Sequence, residues 1–250
     1  MQDPKNILTS FATISLAEME AVELMNRKDT KYFFDGEKLP QILTELQPNY
    51  KVLSIDGNKV FHYRNIYFDT PDFFCYYQHH NQRINRYKIR IRQYVESNLN
   101  FLEVKFKTNT KRTIKTRMRV PEFTETLSDD MKKFLREKTP FDPDVLVPTL
   151  RNDFERFTLV SNDLKERATI DNGLVLMVKD NKRVFEKLCI AELKHEVTSS
   201  GSLFKLAMRD NLCPEMRISK YSVGAAFMYD DLKQNNWKPK KLRINRIEYE

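Results

Sequence analysis

Three stretches of this chain set a positive side chain at every second position, and no other feature limits its fold so sharply. Arg86-Tyr87-Lys88-Ile89-Arg90-Ile91-Arg92-Gln93-Tyr94 alternates charged and mostly apolar residues, and Leu102-Glu103-Val104-Lys105-Phe106-Lys107 and Ile114-Lys115-Thr116-Arg117-Met118-Arg119 do the same. A β-strand turns successive side chains to opposite faces, so each stretch presents one cationic and one apolar face. Three in succession predict a curved sheet with Arg and Lys on its concave side and helices packed on its convex side. Such a sheet makes a polyanion site. The plainer alternative is a solvated face, because Lys and Arg on exposed edge strands discourage aggregation. The use of Arg at positions 86, 90, 92, 117 and 119 favours forked recognition of phosphate oxygens.

The 250 residues suffice for one large β-rich domain, expected to span 1–250, and the 40% hydrophobic content with 17 Phe and 11 Tyr supplies a core despite 31% charged residues. Five Gly and ten Pro, without an internal period, argue against a linker-rich or repeat-built chain. No apolar run long enough to span a bilayer and no secretory leader is seen, so a soluble protein is expected. Cys75, Cys189 and Cys213 are odd in number and widely spaced, which fits neither a disulfide framework nor a zinc site. A reducing compartment, the cytoplasm, is the expectation. The net charge of +8 only tilts the balance toward anionic partners.

A capping box, Ser15 with Glu18, opens a helix over 15–25. Leu39, Ile42, Leu43 and Leu46 define an amphipathic helix with Pro40 in its first turn, and Ser128 caps another bearing Met131, Phe134 and Leu135. Besides the three alternating stretches, strands are predicted at 31–34, 51–55, 61–68, 151–160, 165–170, 174–178 and 189–195. Helices are expected from Ser202 and from Ser219 or Ser222, and 140–148 reads as a loop within the domain. The pattern is α+β. Closure into a barrel would remove the sheet edges and enclose the charged face.

In 190–196 the period-two face carries Glu192, Lys194 and Glu196. Glu192, with Glu103 or Glu196, could hold a divalent metal that bridges phosphate oxygens; the competing reading makes these glutamates salt-bridge partners. Arg217, Ser219 and Lys220 precede a helical stretch, where free N–H groups and a partial positive charge favour an anion. The histidines show no metal-ligand spacing, no Ser/His/Asp or Cys/His set is present, and a glycine-rich phosphate loop is absent, which excludes Walker-type chemistry.

The ordered motifs Lys-Asp-Thr-Lys-Tyr (28–32), Tyr-Phe-Asp-Thr (67–70), Tyr-Tyr (76–77), Lys-Ile-Arg-Ile-Arg (88–92), Leu-Glu-Val-Lys-Phe-Lys (102–107), Lys-Thr-Arg (115–117), Ala-Glu-Leu-Lys (191–194) and Ser-Lys-Tyr (219–221) together resemble the VTC domain. That domain, named for the vacuolar transporter chaperone, is the polyphosphate polymerase branch of the triphosphate tunnel metalloenzymes. The resemblance runs from about Lys28 to Leu232. It implies a closed eight-stranded antiparallel barrel with helices outside and at the tunnel ends, binding a nucleoside triphosphate and a divalent metal, Mn2+ or Mg2+. Carried over by motif, Lys31, Arg90, Arg92, Lys105, Arg117, Arg156 and Arg167 are the tunnel cations, Glu192 the metal ligand, and Arg217, Ser219 and Lys220 the phosphate-contacting group; Lys88, Lys194 and His79 join the substrate-binding set.

Departures from the pattern are also informative. His79 stands where the eukaryotic domain carries an arginine, which weakens a phosphate contact or makes it proton-sensitive, and Arg217 replaces a lysine. The paired glutamates of the hydrolase branch are missing, since 28–31 holds only Asp29. Neither the inositol-phosphate-sensing domain nor the membrane helices that accompany the eukaryotic domain are seen, so coupling to translocation is not expected.

The implied activity is transfer of the γ-phosphoryl group of ATP to a phosphate or polyphosphate acceptor. A triphosphatase or polyphosphatase would need the same lumen. A silent polyanion or nucleic-acid binder is disfavoured, because the cationic stretches interleave Ile, Val and Met more than exposed rings. Oligomeric state is open.

Overall fold

A computed structural model of the chain describes residues 4–20, 27–110, 112–196 and 201–250. The elements run α1 (Pro4–Thr9), β1 (Thr13–Ile14), α2 (Leu16–Glu20), β2 (Arg27–Asp35), α3 (Leu39–Leu46), β3 (Tyr50–Leu53), β4 (Phe61–Asp69), α4 (Phe74–His80), β5 (Arg86–Tyr94), β6 (Leu99–Lys107), β7 (Thr113–Val120) and α5 (Asp129–Lys138). They continue with β8 (Val147–Ser161), β9 (Glu166–Val178), β10 (Asn181–Phe185), β11 (Leu188–Glu196), α6 (Leu203–Asp210), α7 (Lys220–Met228) and α8 (Lys238–Tyr249).

Caps expected from the sequence are in place. Ser15 and Glu18 bond reciprocally at the start of α2, with residues 21–25 of that expected helix outside the described residues. Ser128, Ser202 and Ser219 cap α5, α6 and α7 with their side chains. Pro40 sits in the first turn of α3, where its missing N–H costs nothing.

All eleven strands share one sheet. Its main path, β2-β11-β9-β8-β4-β5-β6-β7, has eight strands, each antiparallel to its neighbours, with β1, β3 and β10 attached at the side. The expected closed eight-stranded barrel is corrected here: among the described residues β2 and β7 end the path without pairing to each other. β7 is largely exposed and carries Lys115, Arg117 and Arg119, the kind of charge that keeps an edge strand from pairing further.

The sheet nevertheless rolls. Lys31 on β2 lies near enough to Lys105 on β6 to add, after desolvation, to the loosening of its proton, although five strands separate them along the path. Its convex side is covered in two places. Tyr32, Phe34, Phe157, Leu159, Ile170, Ala191 and Leu193 pack under α3 and α6, and Ile66, Phe68, Ile89, Ile91, Leu102 and Val104 pack under α5. A third cluster fills one end of the concave side. There Phe33, Tyr67, Leu150, Phe154 and Ile190 meet Tyr221, Val223, Ala225 and Ala226 of α7. Each large side chain buried in this way stabilises the fold by about 1.5–3 kcal/mol.

Two expected strands, 165–170 and 174–178, are one continuous β9, which passes a register shift where Gly173 adopts φ +61°. Cys75, Cys189 and Cys213 are buried free thiols. Among the described residues no helix is long and apolar enough to cross a membrane.

Candidate active site

Register alone assembles the concave face. On β4, β5, β6 and β7, Arg90 lies between Tyr67 and Glu103, Glu103 faces Arg117, and Arg92 lies between Asn65 and Phe101. Lys88 faces Lys105, which faces Lys115. Across the trough Lys31 opposes Glu192, Glu192 opposes Thr169, Lys194 opposes Arg167, and Arg156 opposes Asp171. Period-two placement on antiparallel neighbours therefore puts almost every sequence-predicted cation on one surface.

Some of these cations are matched by carboxylates. Arg90 donates through Nε and Nη2 to Glu103 Oε2 at 2.8 and 2.6 Å, and Lys115 meets Glu103 Oε1 at 2.5 Å. Arg156 donates to both oxygens of Asp171, at 2.5 and 2.8 Å, and Lys220 from the start of α7 pairs with the same carboxylate. Lys31 Nζ lies 2.8 Å from Glu192 Oε2. Burial works against ionisation of Glu103, Asp171 and Glu192, yet the adjacent cations win. Arg90 and Arg92 bring Glu103 to about 2, Arg156 and Lys220 bring Asp171 to about 2, and Lys31 and Lys194 hold Glu192 well below the usual carboxylate range.

Others have no such match. Arg92, only 6% exposed, donates Nε to the amide oxygen of Asn65 at 2.8 Å. Lys88 Nζ donates to Ser219 Oγ at 2.9 Å. Desolvation first, then neighbouring cations, lower the affinity of Arg92, Lys88 and Lys105 for their protons: Arg90 acts on Arg92, Lys105 and Lys31 on Lys88, and Lys31 on Lys105. Lys220 is brought down to about 8, chiefly by desolvation and against the pull of Asp171. A desolvated, self-repelling cationic surface favours any anion that replaces the lost water.

The VTC domain family matches residues 26–229. The chain belongs to it. Solved structures with some likeness include a candidate adenylyl cyclase from Hippeastrum with a dominant triphosphatase activity, at 16% identity and TM-score 0.49, covering 81% of this chain and 96% of that one. The PH1819 protein of Pyrococcus horikoshii OT3 is 12% identical with TM-score 0.46, covering 80% of this chain and 97% of that one. A candidate adenylate cyclase from Vibrio parahaemolyticus is 11% identical with TM-score 0.44 over the same shares, 80% and 97%. No curated protein matches the chain.

Several VTC motif residues serve as framework. Asp69, fully buried, accepts from the backbone N–H groups of Thr70, Cys75 and Tyr76 and from the Tyr221 hydroxyl, tying β4, α4 and α7 together. Tyr67 stacks on Tyr221 with ring centroids 5.1 Å apart. This clamp sets the start of α7, and with it Ser219 and Lys220, against the trough. Arg217 is exposed and close enough to Arg86 to depress it, after desolvation. Arg117 lies on the outer strand, over the Phe101 ring at 4.8 Å.

His79 is hydrogen-bonded within the protein. Its Nδ1 lies 2.6 Å from Ser222 Oγ, and desolvation, then Lys88 and Arg86, push it down to about 2. It is held neutral at ordinary pH, so a proton-sensitive contact in that range is not what this geometry gives.

Sequence reading missed Asp171, the carboxylate that ties Arg156 to Lys220, and the Asn65 amide under Arg92. Asp171 was within reach: it shares the period-two face of Arg167 and Thr169. Glu103, weighed as a metal ligand, forms ion pairs with Arg90 and Lys115.

Among the described residues no group of three or more His, Cys, Asp and Glu could hold a metal ion by themselves. Mg2+-like cations, however, use one or two carboxylates together with substrate phosphates and water. The ionised Glu192, on the concave face beside Lys31, fits a cation shared with a bound phosphate chain.

Proposed function

We propose that the trough transfers the γ-phosphoryl group of ATP to the terminal phosphate of a polyphosphate chain. One observation carries this reading: Lys88 and the buried Arg92 lie among other cations on the same face, beside the solvent-reaching Lys105, with their protons held less tightly than usual. An oligophosphate relieves that repulsion along its whole length, which a single small anion cannot do.

Phosphoryl transfer depends on in-line placement and charge neutralisation more than on a covalent nucleophile. A terminal oxygen of the acceptor attacks the γ-phosphorus, the bond from that phosphorus to the β–γ bridging oxygen breaks, and ADP leaves. In this scheme Arg90, Arg92 and Lys105 hold the triphosphate, Arg156 and Arg167 neutralise the transferring group, and Lys31, Arg217 and Lys220 hold the acceptor. A divalent metal held by Glu192 would supply charge neutralisation at the phosphate oxygens when bound. Asp171 keeps Arg156 and Lys220 at a fixed separation through its two oxygens.

Hydrolysis is the second reading. The ladder is unclosed between β2 and β7 and the Lys105 side chain reaches solvent, so water has access to the same surface. The product separates the two. Incubation with ATP and Mn2+ is expected to give a ladder of polyphosphate on a gel, reduced to background in Glu192→Gln. ADP and orthophosphate alone would reject the polymerase. Loss of one charge-assisted phosphate contact costs about 1.5–3 kcal/mol, so Arg92→Ala and Lys220→Ala should each cut turnover by about tenfold or more.

A further inference from the structure

The first turn of α7 carries a run of hydrogen bonds from the trough into the protein. Lys88 Nζ donates to Ser219 Oγ at 2.9 Å, and the Ser222 backbone N–H donates to the same oxygen at 3.3 Å. A hydroxyl has two lone pairs and one proton, so both acceptor positions of Ser219 are occupied. Ser222 Oγ has two acceptors within reach, Ser219 Oγ at 3.4 Å and His79 Nδ1 at 2.6 Å. The nearer, His79 Nδ1, accepts the proton when the ring carries its own on Nε2. Ser222 is fully buried, so water offers its hydroxyl no other partner.

His79 Nδ1 is then an acceptor, and the ring carries its own proton on Nε2. The cations around it oppose a second proton, because Lys88, Arg86, Lys240 and Lys107 all disfavour the charged ring after desolvation has done so. Trp237 holds the ring in place, with centroids 5.1 Å apart and planes at 78°.

We propose that His79 is a positioning residue: by accepting the Ser222 proton, it leaves the Ser219 hydroxyl as a donor for a phosphate oxygen in the trough. This rests on the phosphate-binding reading above. Without the acceptor, the Ser222 hydroxyl has only Ser219 Oγ to turn to, where it competes with Lys88 and reorients the donor.

The test uses inorganic tripolyphosphate titrated calorimetrically into the full chain. His79→Leu should weaken binding about tenfold, the loss of one hydrogen bond to a charged group, and His79→Gln, whose amide oxygen accepts, should recover most of it. In a Ser222→Ala background, His79→Leu should have no further effect, because the competing hydroxyl is gone. An equal loss with and without that hydroxyl would overturn the proposal as a merely structural effect of His79.

Nitrogen-15 NMR of the ligand-free wild type provides a check that needs no variant to fold. The Nε2–H tautomer is expected at His79, and an Nδ1–H tautomer overturns the hydrogen-bond chain whatever binds. No binding of tripolyphosphate by the wild type would instead overturn the phosphate reading, and the donor role of Ser219 with it, while the tautomer reports on the chain itself.

Discussion

Asp171→Ala is expected to destabilise the protein by about 3–5 kcal/mol, the usual cost of leaving a buried charge without its partner. Asp171 is 4% exposed and holds Arg156 by two hydrogen bonds and Lys220 by an ion pair, so its removal strands two cations in a desolvated place. For a chain of this size the melting temperature should fall by about 6–20 °C. Chemical denaturation would check the free energy independently, and a loss below about 1 kcal/mol would show that water reaches the pair. The acid limb offers a second check. The folded-state value of about 2 lies below the unfolded value of 3.8, so this carboxylate's contribution is fully present above the unfolded value and is lost as pH falls through about 2. Asp171→Asn should therefore show a shallower acid dependence than the wild type between those limits.

Tripolyphosphate should raise the melting temperature of the wild type strongly, and orthophosphate much less. A ligand that binds only the folded state stabilises it by about 4 kcal/mol at a thousandfold excess over Kd, or about 8–16 °C here. The size of the effect follows from the trough's composition. Its carboxylates Glu103, Asp171 and Glu192 are engaged with Arg90, Lys115, Arg156, Lys220 and Lys31, while Arg92 and Lys88 rest on an amide and a hydroxyl. A chain of phosphates neutralises several of these at once; a single phosphate cannot. Differential scanning calorimetry at fixed ionic strength measures both shifts. Small and equal shifts would show that the cations act as separate surface charges.

Much of this was legible in the chain. The alternation in 86–94, 102–107 and 114–119 became β5, β6 and β7 in register, because a period of two fixes which side chains share a face. Lys31, Glu192 and Arg156 followed the same logic on more distant strands. What failed had identifiable causes. Asp171-Asn172-Gly173 reads as a turn, but Gly173 at φ +61° accommodates a bulge and the strand continues, which hid Asp171 from the charged face. α4 was obscured by an aromatic run with no polar period, and α8 by its charge, since only Ile244 of its twelve residues is buried. Closure depends on two strands distant in sequence, and alternation within either strand says nothing about whether their edges meet. The Ser222–His79 contact joins residues 143 positions apart, beyond the reach of any local pattern.

The packing of α7 over one end of the concave side has a consequence for any long occupant. That end is filled by apolar side chains, so a linear polyanion lying along the face would have to extend away from α7.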